Sequence, residues 1–544
     1  MRKILSTIIV SVSVFTLASC EKNFDPKIYG SFVQSVYPST ADDYNSLVVS
    51  CYGTFSSYWN TTMGGRTINC WFGPACGVMK VFDMPTDINA PWKTGGTSSW
   101  LYWGQADFTE ATTYARSYSD AYCSHFQTVS NVTRMTKIMQ TVQNAPSDVL
   151  KDEKKEDLLG EMYLMRGFSM YLMLHKYGPL PYVTDPDLVK DVDELNDYQR
   201  PTLDEAVELI TSDLENAVKY VPDYEEVTEK GRYNKDFARF LLMHHCLNEG
   251  YHMDGYYARA IEMYKELKES AAGYDLFRTG SNPFQQQFAS ANKFNCETIM
   301  SISVNPSSTG ANFGNYNATC LYMYPNDAKL DDLTSNPEFC YANTWAQYYN
   351  ISPYFYSTFE SGDLRAKCII TSYVTKTGSK VTSGNIGSSW DGFINNKFKP
   401  EVKKNYQPMD VPIARWADVL LMYAEAETRL NNTVTDDALA AVNDVRGRAG
   451  LGNLPSSKTS TTEAFLNAIL DERGHELFYE GQRKIDLIRF NCFAQKNFLA
   501  KGLVPKSQYV PIPNYAVQQA AEAGVEISQY WQRDEYAQDL ALAK

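Results

Sequence analysis

Apolar residues recur at three- and four-residue spacing along two long stretches of the chain, and between them the spacing lapses. From Glu156 to Tyr177, the positions Leu159, Met162, Met165, Phe168, Leu172 and His175 share one face, which predicts a helix. Gly178-Pro179-Leu180-Pro181 stops it. Tyr122 to Val142 reads as a helix ended before Ala145-Pro146. A further segment opens with Pro201-Thr202-Leu203-Asp204-Glu205 and carries Ala206, Leu209, Ile210, Leu214 and Val218, and two more helices are expected over Lys235 to Glu249 and Tyr256 to Ala272. The unit repeated over about residues 113–272 is helix, short turn, helix, the spacing of tetratricopeptide-like stacking. Leu159-Gly160-x-x-Tyr163 matches part of that signature, while the unbroken run through Leu172 departs from it.

From about 273 to 408 the pattern gives way to Asn, Ser, Gly, Thr and Tyr, interrupted by a strand-like run from Thr298 to Val304. The same composition fills Thr61 to Thr112. Loops of this kind on a helical scaffold are where binding residues commonly sit. A second helical block, about 409–544, starts at Pro412-Ile413 with Trp416, Leu420, Tyr423, Ala424 and Leu430 along one face. It continues through Asp437 to Arg448 and ends at Ala449-Gly450. Ser460-Thr461-Thr462-Glu463 reads as a capping box with Ser460 as the cap, opening a helix that runs through Glu480. The expected fold is therefore mainly α, with helix pairs supporting a loop-rich region.

The first residues follow another pattern. Met1-Arg2-Lys3 is positive and Ile4 to Leu17 is apolar, a stretch shorter than the roughly 18 residues a spanning helix needs. Residues 1–19 read as an export signal. Leu17-Ala18-Ser19-Cys20 resembles the lipobox of bacterial lipoproteins, in which the cysteine is acylated and becomes the new N-terminus. The other reading is an ordinary signal peptide that ends near a cysteine. Residues 20–26 would form a polar leader and 27–544 the folded body.

Composition removes several function classes. The net charge is −14 over 544 residues and no block of Lys or Arg forms a positive stripe, which argues against a nucleic-acid partner. It also argues against attachment to an anionic membrane through a basic face, so lipid on Cys20 is the expected anchor. The chain has 38 Tyr, 26 Phe and 9 Trp, rings that serve cores, interfaces and sugar faces alike. None of the cysteines forms a C-x-x-C pair, which disfavours a zinc site. Cys70 and Cys76 are close enough to close a small loop, and their connectivity stays open. His244-His245 lacks the H-E-x-x-H spacing of a metal-binding helix face. Arg446-Gly447-Arg448-Ala449-Gly450-Leu451-Gly452 follows a helix instead of joining a strand to one, so it reads as a helix end, not a dinucleotide loop. With no P-loop and no G-x-S-x-G, no catalytic residue, metal or cofactor is assigned.

One stretch is more specific. Asp471 to Phe490, DERGHELFYEGQRKIDLIRF, resembles the signature segment of the SusD/RagB family of outer-membrane nutrient-binding lipoproteins. In the family's order the chain also carries MYLMRGFSMYLMLHKYGPLPYV from Met162, PIARWADVLLMYAEAETRL from Pro412, ALAAVNDVRGRAGL from Ala438 and YVPIPNYAV from Tyr509. The tail AGVEISQYWQRDEYAQDL, after Pro511-Ile512-Pro513, departs from the Asn-Pro-Gly-Tyr-like ending common in the family. The resemblance implies a SusD-like fold and a lipid-anchored, surface-exposed protein at a bacterial outer membrane. Its implied role is to bind an oligo- or polysaccharide and deliver it to a SusC-like TonB-dependent transporter. Capture of peptide or another nutrient on the same scaffold is the second reading, and a surface glycoside hydrolase the third.

The signature's charges favour a structural part. Glu476 follows Arg473 by three residues, Glu480 precedes Arg483 and Lys484, and Asp486 precedes Arg489, so ion pairs along a helix surface are expected. A glycosidase would need two carboxyl groups about 5 to 10 Å apart across an open cleft. A cation beside each acid would keep it ionised instead of raising its pKa. By position, the family's ligand aromatics fall in the loop-rich stretches. The candidates are Trp92, Trp100, Tyr102 and Trp103, with Arg66, Asp83, Asp87 and Asn89 as polar partners, and Tyr316, Tyr322, Trp345 and Trp390 in the central loops. Each ring either contacts ligand or anchors its loop inward. Trp416 is set aside because its helical spacing puts it on an apolar face.

Overall fold

The computed structural model describes residues 37–63, 66–91, 99–109, 125–188, 199–305, 317–329, 347–382, 392–402 and 406–544. The expected anchor Cys20 and leader lie outside the described residues, as do Trp92, Tyr316, Trp345 and Trp390, and of Arg66 the backbone alone is described.

Helices α1 (Ala41–Val49) and α2 (Ser99–Gly104) precede the first helical block. That block holds α3 (Thr128–Gln143), α4 (Asp152–Tyr177), α5 (Leu203–Tyr220), α6 (Lys235–Glu249) and α7 (Tyr256–Lys268). Its sequence signals act as expected. Thr202 caps α5 by accepting from the Glu205 N–H while the Glu205 carboxylate returns to the Thr202 N–H, so two otherwise orphaned amides are satisfied. Gly178, at φ +77°, ends α4 where another residue would be strained. Each helix packs on the next: α3 on α4, α4 on α5, α5 on α6, α6 on α7. A Cβ at Gly160 of α4 would lie 2.5 Å from the backbone of Tyr220 and Val221, so the glycine lets α4 meet the end of α5.

After the short α8 (Pro283–Gln286) and α9 (Pro353–Ser357), the second block comprises α10 (Trp416–Asn431), α11 (Asp436–Arg448), α12 (Thr462–Leu477), α13 (Arg483–Arg489), α14 (Phe493–Lys501), α15 (Asn514–Glu522) and α16 (Tyr536–Leu542). Helix α10 joins the blocks by packing on α7. Trp416 is buried, its ring stacked with Tyr264 and Tyr274, as its spacing indicated. The strands are short antiparallel pairs: β1 (Asn60–Met63) with β2 (Arg66–Asn69), and β3 (Thr298–Ile302) with β8 (Val411–Arg415). In the middle, β4 (Ile369–Ile370) pairs with β7 (Ile394–Asn395) and β5 (Ser372–Val374) with β6 (Lys380–Thr382). Among the described residues no helix is long and apolar enough to cross a membrane.

Several boundaries differ from the sequence reading: α4 begins at Asp152 instead of Glu156, α7 ends at Lys268 instead of Ala272, and β3 ends at Ile302 instead of Val304. Pro412-Ile413 belongs to strand β8, not to the following helix, and its pairing with β3 carries register shifts that accommodate a residue without an N–H. The cap of α12 is Thr461, which accepts from the Ala464 N–H, instead of Ser460. The helix does not run through Glu480 either. It ends at Leu477, and Tyr479 (φ +57°) and Gly481 (φ +85°) turn the chain into α13.

The charges of this segment face inward. Arg473 bonds Asp418 at 2.6 Å and Asp486 at 3.0 Å, and Glu472 takes Arg365 at 2.6 Å. Glu476 accepts from Arg415, Arg448 and Arg365, while Glu480 accepts from Arg415 and Lys397. Of the expected neighbour pairs, Asp486–Arg489 forms at 2.9 Å, and the other acids turn to bases from distant segments. The reason is burial, since Glu476 and Arg473 are fully enclosed and need close, hydrogen-bonded partners.

Candidate functional site

Sugar-sized ligands on protein surfaces need flat apolar faces beside polar groups, so the positions of exposed and half-exposed rings decide where a site lies. Four rings from four separate segments converge. Trp100, on α2, stacks on Tyr348 with centroids 4.2 Å apart and planes 6° from parallel. Tyr322, at the end of the 3-10 turn Thr319–Tyr322, lies 5.2 Å from Trp100 and 6.0 Å from Tyr348. Trp59, just before β1, donates its indole N–H to the Tyr322 hydroxyl at 3.5 Å. Trp100 and Tyr322 are buried, whereas Trp59 and Tyr348 remain half-buried. Beneath them Tyr349 is fully enclosed, its hydroxyl donating to the Pro74 carbonyl at 2.7 Å.

The segment bearing Tyr348 is laid down by residues 87–90. Asn89 donates to the Tyr348 carbonyl at 2.7 Å, and the Asn350 amide exchanges hydrogen bonds with the Ala90 backbone at 2.9 and 3.1 Å. Ser352 bonds the carbonyls of Ile88 and Asp87. Tyr479, in the turn between α12 and α13, donates to the Asn350 carbonyl at 2.5 Å and accepts from Asn89 at 3.0 Å.

These contacts correct part of the sequence expectation. Asp83, Asp87 and Asn89 were expected to line a ligand, and all three are interior. Asp83 accepts from the N–H groups of Gly481 and Arg483 at 2.6 and 3.2 Å; burial, against those bonds, pushes its carboxyl up to about 8. Asp87 is clasped by Arg483 at 2.9 and 2.8 Å. Trp103 is likewise buried, edge-on to Phe108 at 5.1 Å, so it anchors α2 inward. Tyr102 is half-buried on α2. Of the candidates, the structure brings together Trp100 and Tyr322. Trp59, Tyr348 and Tyr349 are not among the sequence candidates: Trp59 stands just before the loop-rich stretch that opens at Thr61, and no local signal sets the Tyr348-Tyr349 pair apart from the other loop tyrosines.

Within the signature segment Glu476 is held as a carboxylate. Burial alone would raise Glu476, but Arg448, Arg415 and Arg365 outweigh it and bring the pKa down to about 2. Such a carboxylate stays ionised and donates no proton at neutral pH. His244 Nε2 lies 3.2 Å from Asp418, and His245 Nε2 lies 3.1 Å from the Val207 carbonyl and 3.0 Å from Thr211. No metal-binding group of His, Cys, Asp or Glu occurs among the described residues. A groove of about 740 Å³ lies elsewhere, between α7, α10 and α11. Its acids have structural partners at hand: Asp436 and Asp437 stand in the first turn of α11, and Asp444 pairs with Arg278 at 2.7 Å.

The body is largely helical, with a cluster of aromatic rings and an interior stapled by ion pairs. The profile of the SusD family matches residues 296–536, and one described as "Starch-binding associating with outer membrane" matches residues 79–242. The chain belongs to the SusD family. It is 22% identical over 519 residues to SusD-like protein P25 of Formosa agariphila, covering 90% of each chain. It is 34% identical to the starch-binding protein SusD of Bacteroides thetaiotaomicron over 101 residues, 19% of this chain and 16% of that one. A solved laminarin-binding SusD-like protein superposes with a TM-score of 0.68 at 19% identity, over 90% of this chain and 99% of that one.

Proposed function

We propose that this chain is a glycan-binding surface lipoprotein of a bacterial outer membrane. It holds an oligo- or polysaccharide on the Trp59–Trp100–Tyr322–Tyr348 platform and delivers it to a SusC-like TonB-dependent transporter. Lipid on Cys20 keeps the body at the membrane. The observation that carries the reading is the parallel stack of Trp100 on Tyr348, with Tyr348 and Trp59 still half-exposed. Sugar rings pack C–H faces on such rings and need polar groups for their hydroxyls. Starch- and laminarin-binding relatives on the same scaffold support the glycan as ligand class. Arg66, Trp92, Tyr102, Tyr316, Trp345 and Trp390 complete the proposed contact set.

The test is retention of the purified protein on gels cast with a panel of soluble glycans, starch and laminarin included. Wild type is expected to be retarded by at least one, and Tyr348→Ala with Trp59→Ala to migrate freely in it. Retardation of the double variant equal to wild type would remove the platform from the mechanism. A Cys20→Ala form should bind glycan in solution yet fail to support growth on it, and normal growth would refute the tether.

A further inference from the structure

Helix α2, which carries Trp100, has six residues, too few to persist without outside support. Two lysines add to the support that the packing of Trp100 and Trp103 provides. Lys80 is fully buried, with its ammonium 4.2 Å from the Trp100 ring centroid and 5.7 Å from that of Trp103, two rings one helical turn apart. At the other end Lys501 donates to the carbonyl of Gly104 at 2.7 Å and to that of Met84 at 3.4 Å. Tyr348 stacks on Trp100 with centroids 4.2 Å apart, and the Lys80 ammonium lies at the same distance from the Trp100 centroid. The indole therefore has both a tyrosine ring and a cation as close neighbours.

Lys80 is itself fixed from the signature segment. It lies in the π-helical turn Met79–Asp83, and the Asp83 carboxylate is bonded to the backbone N–H groups of Gly481 and Arg483. From the same turn, Tyr479 reaches the Asn350 carbonyl, on the segment that bears Tyr348. One turn between α12 and α13 thus sets both halves of the stack, Trp100 through Asp83 and Lys80, and Tyr348 through Tyr479 and Asn350.

We infer that Lys80 is a positioning residue for the aromatic platform: its ammonium, held against Trp100 and Trp103, fixes the plane in which Trp100 meets Tyr348. The inference rests on the platform being the glycan site, but its geometric content stands without that reading. A neutral side chain of equal length would fill the space and lose the attraction of a cation for the indole face. An arginine would keep it.

The experiment compares full-length Lys80→Met, Lys80→Arg and Tyr348→Ala with wild type. Near-ultraviolet circular dichroism reads the coupled Trp100–Tyr348 rings, with Trp100→Phe identifying the band. Affinity gels of soluble starch and of laminarin read binding. Lys80→Met should lose the band and bind roughly tenfold more weakly while keeping its far-ultraviolet spectrum, and Lys80→Arg should restore both. If Lys80→Met does not fold, Lys80→Gln takes its place. An unchanged band in a folded neutral variant overturns the inference. If the band is lost in Lys80→Met but Tyr348→Ala still binds glycan like wild type, the positioning role holds and the glycan site is elsewhere. If wild type is retarded by neither glycan, the band alone decides.

Discussion

Arg483 places two hydrogen bonds on the Asp87 carboxylate, at 2.9 and 2.8 Å, across 396 residues of sequence. Both side chains are almost wholly buried. Removing the cation leaves a carboxylate inside with nothing to replace its lost hydration, and such breaks cost about 3–5 kcal/mol. Arg483→Ala should therefore lower stability in a urea titration by that amount. Arg483→Lys should recover only part of it, since an ammonium cannot reproduce the two-pronged geometry. A loss under about 1 kcal/mol in Arg483→Ala would mean that the pair contributes little.

Position within a helix decides what a glycine is for. At Gly160 an added methyl meets the backbone of Tyr220 and Val221 at 2.5 Å, while at Gly447 it meets nothing within 4 Å. Gly160→Ala is expected to destabilise by about 1–3 kcal/mol through overpacking of α4 on α5. Gly447→Ala, on the outside of α11, should stabilise by about 1 kcal/mol from helix propensity. Equal effects of the two substitutions in denaturant would contradict the tight contact.

Acid should loosen the second helical block. Burial acts to raise Glu425, but Arg489 and Arg429 prevail and bring its carboxyl down to about 2 from an ordinary 4.5. A folded-state pKa below the unfolded one means stability that is present above pH 4.5 and lost as pH falls through about 2. For this group the loss is on the order of 3 kcal/mol. Glu425→Gln should flatten that part of the stability profile between pH 4.5 and 2, and a profile of unchanged slope would count against it.

Replacing Tyr348 tests a residue that sequence reasoning passed over. Loss of its ring exposes one face of Trp100, so Tyr348→Ala should weaken glycan retention about tenfold with little loss of stability. Tyr348→Phe should keep most of the binding. Isothermal titration with the retained glycan distinguishes the two outcomes.

These cases also mark where sequence reading succeeds and stops. Helices α4 to α7 were legible because their apolar spacing and stop signals are local, and Trp416 was correctly placed inward for the same reason. The signature segment was legible as a pattern of residues, but its geometry was not. Glu476 and Arg473 look like a neighbour pair until burial brings Arg448 and Asp418 to them. The turn at Tyr479 and Gly481 depends on Asp83, about 400 residues earlier, receiving the N–H groups of Gly481 and Arg483. Asp83, Asp87 and Asn89 sit in a stretch with loop composition, and nothing local distinguishes a polar residue facing solvent from one buried against a distant partner.

The thiols bear on how the protein can be handled. Cys51, Cys70, Cys246, Cys320 and Cys368 are buried and unpaired, and burial pushes the Cys51 thiol up to about 11 and those of Cys70 and Cys368 to about 12. Thiols so reluctant to ionise are poor nucleophiles in disulfide exchange while the protein is folded. Cys296, at the foot of β3, is the exposed cysteine among those described. It offers a natural attachment point for a fluorophore or spin label, from which motion of the folded body can be followed.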